Sequence, residues 1–296
     1  MARTNTLGNF LTDVADAIRT KKGSEEPIAA ADFDTEIENL PSGGDLSEYF
    51  SDTISQGYTN APGWTRTIKK LPQFEVTGTS ASVMFTNYLG EALDLTGMDF
   101  SNVTNMSSMF SGCTFLRKII FGNFDSSNVT NMDSMFYNCS QRAENLPLEI
   151  DFSKIDTSSV TNMSNMFAYF GRNITTAGTG KILTLDLSSF DTSNVTKMNS
   201  MFNWAEQISS LDLSNFNTSN VTNMSNMFGY CYYLTHLDIR NFTFDAVTSY
   251  NGMFTNVSKS CEIIVKSQTE KDWILGVRSD FTNVKTVAEY EAEQNA

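Results

Sequence analysis

The chain is 296 residues long, and 34 Asp and Glu against 20 Lys and Arg leave a formal charge of −14. That field repels phosphate backbones and disfavours nucleic-acid binding, which exchanges protein cations for counterions. Hydrophobic residues are 40% and charged ones 18%, the balance of an ordered chain, while 22 Phe and 14 Met stand beside a single His. A lone imidazole argues against a His-based triad or a multi-His metal centre.

At the amino terminus Leu7, Leu11, Val14 and Ile18 form a helical stripe, Lys21, Lys22 and Gly23 end it, and residues 31–40 offer a second short helix before Pro41. No basic stretch followed by a long apolar run stands here, so a secretory signal peptide is not predicted. Nor does any segment reach the ~18 consecutive apolar residues of a membrane span. Pro41, Ser42, Gly43 and Gly44 read as a linker. Residues 46–80, with Tyr49, Phe50, Tyr58, Trp64, Phe74 and Val76, are aromatic but out of phase with residues 81–260, and are predicted to cap them.

From residue 81 the chain repeats. The dipeptide Met-Phe recurs with its Phe at Phe85, Phe110, Phe136, Phe167, Phe202, Phe228 and Phe254, at intervals of 25, 26, 31, 35, 26 and 26 residues. Aligned on it, the units read SNVTNMSSMF, SNVTNMDSMF, SSVTNMSNMF, SNVTKMNSMF and SNVTNMSNMF, and the last, DAVTSYNGMF, keeps the frame alone. Three residues after each of the first six Phe stand Tyr88, Cys113, Cys139, Phe170, Ala205 and Cys231, an apolar slot in which the cysteines read as small buried side chains. Four cysteines without CxxC pairing suit neither a disulfide scaffold nor a zinc ribbon.

Between these segments an apolar–variable–apolar triplet recurs as LDL, IIF, IDF or LDI, predicting one half-buried strand per unit. In Val-Thr-Asn-Met-Ser-x-Met-Phe the apolar residues fall at i, i+3, i+6 and i+7, which predicts a helix of about two turns with the preceding Ser-Asn as its N-cap. No unit can bury its own apolar face, so the units are expected to stack. The fold predicted is α/β: a leucine-rich-repeat-like solenoid of about seven 25–26-residue units over residues 81–260, capped at both ends, behind a short helical element at 1–45. Residues 261–296 are predicted as the C-terminal cap, with a strand at 263–265, a helix at 271–275, a strand around 284–287, and AEYEAEQNA as a polar tail.

The pattern LxxLDLSxFxTSNVTNMSxMFxxC, read over residues 208–231 and their relatives, resembles the BspA-like leucine-rich repeats found in Mycoplasma lipoproteins and many bacterial and bacteriophage surface proteins. The resemblance spans roughly residues 80–265, departs at the insertions in the third and fourth units and in the worn last repeat, and implies adhesion or protein recognition without chemistry. Residues 6–40 are similar to an N-terminal helical element of tail and baseplate-associated proteins of phages of Gram-positive bacteria. That similarity implies attachment to a virion, with the repeats presented outward.

The strand centres place Asp94, Asp151, Asp186, Asp212 and Asp238 in one column on the predicted exposed face. The column could hold a cation or a basic ligand, or each Asp could simply accept hydrogen bonds from the adjacent turn, and the second reading is preferred. The two insertions fall between the apolar slot and the next strand, where seven residues from Cys231 to Asp238 become twelve from Cys139 to Asp151 and sixteen from Phe170 to Asp186. Loops at one phase emerge on one edge, which makes Arg142, Glu144, Arg172 and Asn173 candidate binding residues. No GxSxG, P-loop, GxGxxG or EF-hand segment occurs, His236 reads as structural, and the Asn-Val-Thr sequons read as capping residues.

The function expected is therefore a non-enzymatic bacteriophage virion protein of the tail, baseplate or a surface fibre, made in the bacterial cytoplasm and carried on the particle. Its expected partners are other virion proteins through 1–45 and a host cell-surface protein or glycan, in a homo-oligomer or larger assembly, with no cofactor, metal, nucleic acid or membrane span. A bacterial surface adhesin is the alternative; a polysaccharide-degrading tail enzyme would need carboxylates clustered on one face.

Overall fold

A computed structural model describes residues 50–54, 66–68, 74–76, 78–88, 90–140, 148–171 and 185–296. The element at 1–45, most of the cap at 46–80, and the insertion residues Arg142, Glu144, Arg172 and Asn173 lie outside them. β1 (Phe50–Ile54) and β2 (Arg66–Ile68) pair antiparallel, and β3 (Phe74–Glu75) is followed by β4 (Ala92–Asp94) and β5 (Met98–Asp99), the last pairing parallel with β3.

The triplets become strands where the alternation predicts them. β4 pairs with β6 (Lys118–Ile120), and β6 with β7 (Glu149–Ile150), parallel and in the register Leu93↔Ile119↔Ile150. Four further strands, β8 (Ser210–Asp212), β9 (His236–Asp238), β10 (Glu262–Val265) and β11 (Val284–Thr286), form a third parallel sheet in the register Leu211↔Leu237↔Ile263↔Val284. Residues 185–187 keep the pattern, with Leu185 and Leu187 buried about an exposed Asp186, but are not a strand.

Opposite the strands runs a second ladder, of single parallel bridges: Ser80↔Asn105↔Asn131↔Asn162↔Lys197↔Asn223↔Ser249. It advances by one unit per step and carries the Met-Phe segments with it. The Phe amide of each unit donates to the carbonyl of the Met before the next unit's Phe, from Phe85 to Met109 through Phe228 to Met253, at 2.8–2.9 Å. The Thr of each Val-Thr donates the other way, as from Thr130 to Thr104 at 2.9 Å, and its hydroxyl reaches the same carbonyl.

That pattern overturns the predicted two-turn helix. A helix spends its amides on its own carbonyls four residues back, whereas here they leave along the stack. What remains within a unit is a run of three overlapping tight turns, Met109 N to Met106 O (3.2 Å), Ser111 N to Ser108 O (3.1 Å) and Cys113 N to Phe110 O (3.2 Å) in the second unit. The third residue of the first and the last of these turns has a positive φ, +56° at Ser108 and +73° at Gly112, and the same two positions are left-handed in the next units. Type II turns require this, and two such residues within five positions break any helix. The predicted Ser-Asn N-cap falls with it: Asn128 and Asn220 use Nδ2 to donate to Ser101 and Ser193 carbonyls one unit back, at 2.9 and 2.7 Å.

Between the two ladders lies the core. Phe85, Phe110, Phe136, Phe167, Phe202, Phe228 and Phe254 form one file of buried rings, 5.2–5.9 Å apart and within 18° of parallel. Val103, Met106 and Met109 and their equivalents in the next units stack beside it, fully buried. A file of buried hydroxyls interrupts the apolar columns: Thr192 Oγ1 donates to the Asn217 carbonyl at 3.0 Å and accepts from the Asn217 amide at 2.8 Å. Ser126 and Thr218 do the same toward Asp156 and Thr243. A buried polar atom without a partner is costly, and here the next unit supplies the partner.

The carboxyl-terminal end is closed by α1 (Gln268–Val277), capped by Ser267, and by α2 (Val287–Gln294). Trp273 of α1 lies flat on Phe244 at 3.9 Å, and Ile274, Phe281 and Val284 cover the last unit. The segment read from composition as a polar tail is α2 as far as Gln294. Thr286 and Glu289 form a capping box at its start, and Lys271 pairs with Glu289 at 2.8 Å, so the polar sequence is ordered by its first turn.

Phe167 sits mid-file, 5.7 Å from both Phe136 and Phe202, with Phe152, Phe170 and Phe190 around it. Phe167→Ala is expected to cost about 3–5 kcal/mol in denaturant unfolding, the range for a lost core aromatic that leaves a cavity. It should also uncouple the two halves of the stack, seen as a broadened or split transition; an unchanged midpoint would contradict the ladder.

Candidate recognition surface

The strand aspartates are turn acceptors. Asp94 accepts from Thr96 N (2.9 Å) and Oγ1 (2.5 Å), Asp151 from Ser153 N (3.1 Å) and Oγ (2.5 Å), and Asp186 from Ser188 N (3.1 Å) and Oγ (2.6 Å). Asp212 accepts from Ser214 N at 2.9 Å, the same Asx turn. Asp238 departs from the predicted exposed face: it is 4% exposed, because Arg240 folds over it with Nε at 3.0 Å and Nη2 at 2.5 Å from its carboxylate. The column is not continuous either. Asp94 stands beside Ile120, while Asp212 and Asp238 are true neighbours sharing the field of Arg240. The cation that balances that pair is part of the chain, and among the described residues no group of His, Cys, Asp and Glu could hold a metal ion.

A second Asx file was missed from the sequence, although Asp-x-Ser recurs five residues after the first. Asp99, Asp125, Asp156 and Asp191 accept from the amides of Ser101, Ser127, Ser158 and Ser193 at 2.9–3.0 Å. The backbone and side-chain hydrogen bonds of Ser101 hold Asp99 below the ordinary 3.8, and those of Ser193 do so for Asp191. Ser127 and Ser188, hydroxyl first and amide second, lower Asp125 and Asp186 in the same way.

Cys113, Cys139 and Cys231 of the apolar slot are buried as predicted, and Cys261, outside the slot, is buried too. All four are free and buried, Cys113 and Cys231 donate Sγ–H to the Phe85 and Phe202 carbonyls of the unit before, and burial pushes Cys139, Cys231 and Cys261 up to about 12. His236 is structural: its Nδ1 lies 2.8 Å from Glu262 Oε2 across β9 and β10. Lys285 and, secondarily, His236 pull the Glu262 carboxyl down.

A file of aromatics that the repeat pattern alone did not single out lies on the edge after the third to sixth Met-Phe. At the left-handed turn position where other units carry Asn87, Gly112 or Asn138, three successive units carry Tyr169, Trp204 and Tyr230, with φ of +60°, +60° and +63°. A bulky residue there costs roughly 1–2 kcal/mol relative to the ordinary regions. Stacking offsets it: Tyr169 lies 6.0 Å from Trp204 and Trp204 4.2 Å from Tyr230, each pair within 6° of parallel, with Tyr137 5.3 Å from Tyr169. Tyr232 sits beside the stack, nearly perpendicular, 5.9 Å from Trp204 and 6.1 Å from Tyr230. Tyr232 and Tyr233 are 44% and 60% exposed. The signal was available in the sequence: aromatics one, two, four or five residues after the Met-Phe, outside every core column. Both insertions fall at the same phase of the repeat, after Ser140 and Gly171.

Residues 79–183 and 151–267 match a family described as Mycoplasma protein of unknown function, DUF285, so the two matches run through the whole Met-Phe repeat. No curated protein and no solved structure matches the chain. Among the described residues no helix is long and apolar enough to cross a membrane.

Carboxyls held low in the folded chain and ordinary in the unfolded one bind protons preferentially on unfolding. The stability they contribute is present above pH 3.8 and is lost as pH falls through the lowered values of Asp99, Asp125, Asp186 and Asp191. Unfolding midpoints measured from about pH 6 to about pH 2 should hold level and then drop steeply below about pH 4. Iodoacetamide at mildly alkaline pH should leave all four thiols of the folded protein unlabelled and modify them once it is unfolded; rapid labelling of Cys139 or Cys231 would contradict their burial.

Proposed function

Because the chain belongs to the DUF285 family, which is associated with BspA-like Mycoplasma surface repeat proteins, we propose that it is a leucine-rich-repeat-like solenoid serving as a non-catalytic recognition scaffold at a surface. The observation that carries this reading is the bridge ladder from Ser80 to Ser249. It joins successive units by backbone hydrogen bonds, while the strand and turn aspartates close their own turns and Tyr232 and Tyr233 stand exposed on one edge.

The finer reading is a bacteriophage virion protein of the tail, baseplate or a surface fibre, attached to its neighbours through residues 1–45 and presenting the repeats to the host surface. The similarity of residues 6–40 to tail and baseplate elements supports it. A bacterial surface adhesin is the second reading, favoured by the family's association with Mycoplasma surface proteins.

Antibody raised against the repeats should detect the protein in purified phage particles, and deleting residues 1–45 should remove it from them. Soluble protein should bind host cells and compete with particle adsorption. Detection on the envelope of the producing bacterium alone would replace the virion reading by the adhesin one, and failure to bind any cell would end the recognition reading.

A further inference from the structure

We infer that Tyr230, Tyr232 and Tyr233, on the edge just after the sixth Met-Phe, form a binding site for a neutral carbohydrate. The inference rests on the recognition reading and names the ligand class for it. Three observations carry it. The first is preorganisation: Tyr230 is fixed against Trp204 at 4.2 Å, and Tyr232 lies almost equidistant from both, turned 74° and 69° from their planes. These rings hold their places without a ligand, so binding need not order them, which is a main cost of association.

The second is exposure without a structural reason. Trp204 and Tyr230 occupy left-handed turn positions where other units place Asn or Gly. Tyr232 and Tyr233 then stand 44% and 60% exposed. An exposed aromatic ring fixed on a stack suits a pyranose, whose C–H face is apolar. Ligand sites in general pair aromatic walls with a few placed polar groups.

The third is charge and extent. No Lys or Arg occurs between Lys197 and Arg240, and although Lys259 of the next unit stands at the phase of Tyr233, the chain carries −14, so an anionic ligand would meet a repelling overall field. A folded protein partner needs about 800 Å² from each side with an apolar centre. Among the described residues, the exposed large hydrophobics of this edge are Tyr232 and Tyr233, enough for a few sugar rings and too little for such an interface.

The test uses the full chain and whole cells to which it adheres, with cell samples treated either by periodate, which cleaves vicinal diols, or by protease. Periodate should abolish binding and protease should leave it. Tyr232→Ala and Tyr233→Ala should each weaken binding about tenfold, the scale of a hot-spot ring, and Tyr233→Ala, at the more exposed ring, should do so with its unfolding midpoint unchanged. Binding that survives periodate but not protease would overturn the carbohydrate assignment and leave the recognition reading standing, as would carbohydrate binding that both variants retain. Absence of binding to untreated cells would overturn both.

Discussion

Everything in the stack depends on the direction in which the backbone amides of the Met-Phe segment point. In a helix they would close on their own chain; here Phe110 N reaches Met135 O and Phe136 N reaches Met166 O, so each unit completes its hydrogen bonding only through the next. An unpaired buried amide costs free energy comparable to a lost hydrogen bond. A single unit would therefore expose both its apolar columns and its backbone. Stacking answers both at once, and the chain grows by a fixed step in which like meets like: Phe on Phe, Val on Val, Thr on Thr.

Two left-handed residues per unit make that direction available, and they explain what the sequence did and did not reveal. The period, the core columns, the strand triplets and the cysteine slot were legible because burial repeats with the chain and leaves apolar residues at fixed offsets. The run of turns was not, because apolar spacing of i, i+3, i+6 and i+7 satisfies a helix and successive tight turns equally well. The discriminating residues sit between the apolar ones. Ser108, Ser134, Asn165, Ser200 and Asn226 stand at the first left-handed position, and Asn87, Gly112 and Asn138 at the second. Ser and Asn in a helix interior compete with its hydrogen bonds, so their recurrence there was the local evidence against it.

The polar residues divide along the same line. Asp94, Asp186 and Asp212 looked like a surface file because strand alternation points them outward, yet each bends back to the amide two residues on. What separates a carboxylate offered to a ligand from one that closes a turn is the Ser or Thr at i+2, and that residue is present in four of the five strand positions, with Arg240 in the fifth. The same reasoning relocates the sequons: an Asn whose Nδ2 is committed to a carbonyl one unit below, as at Asn128 and Asn220, is part of the ladder.

Since the axial groups and turn acceptors are consumed by stacking, variation between units is confined to the edges. The position two residues after each Met-Phe is the clearest case. One backbone conformation, φ between +56° and +73°, is held in succession by Asn87, Gly112, Asn138, Tyr169, Trp204, Tyr230 and Asn256. Asn and Gly fit it with little strain, and Tyr and Trp do not. That three consecutive units accept the strained choice, and that their rings then stack within 6° of parallel, ties the cost to a collective gain that no single unit could make. A scaffold of this kind can change what it presents along one edge while its hydrogen-bonded ladder stays the same, because the ladder uses the backbone and the edge uses the side chain.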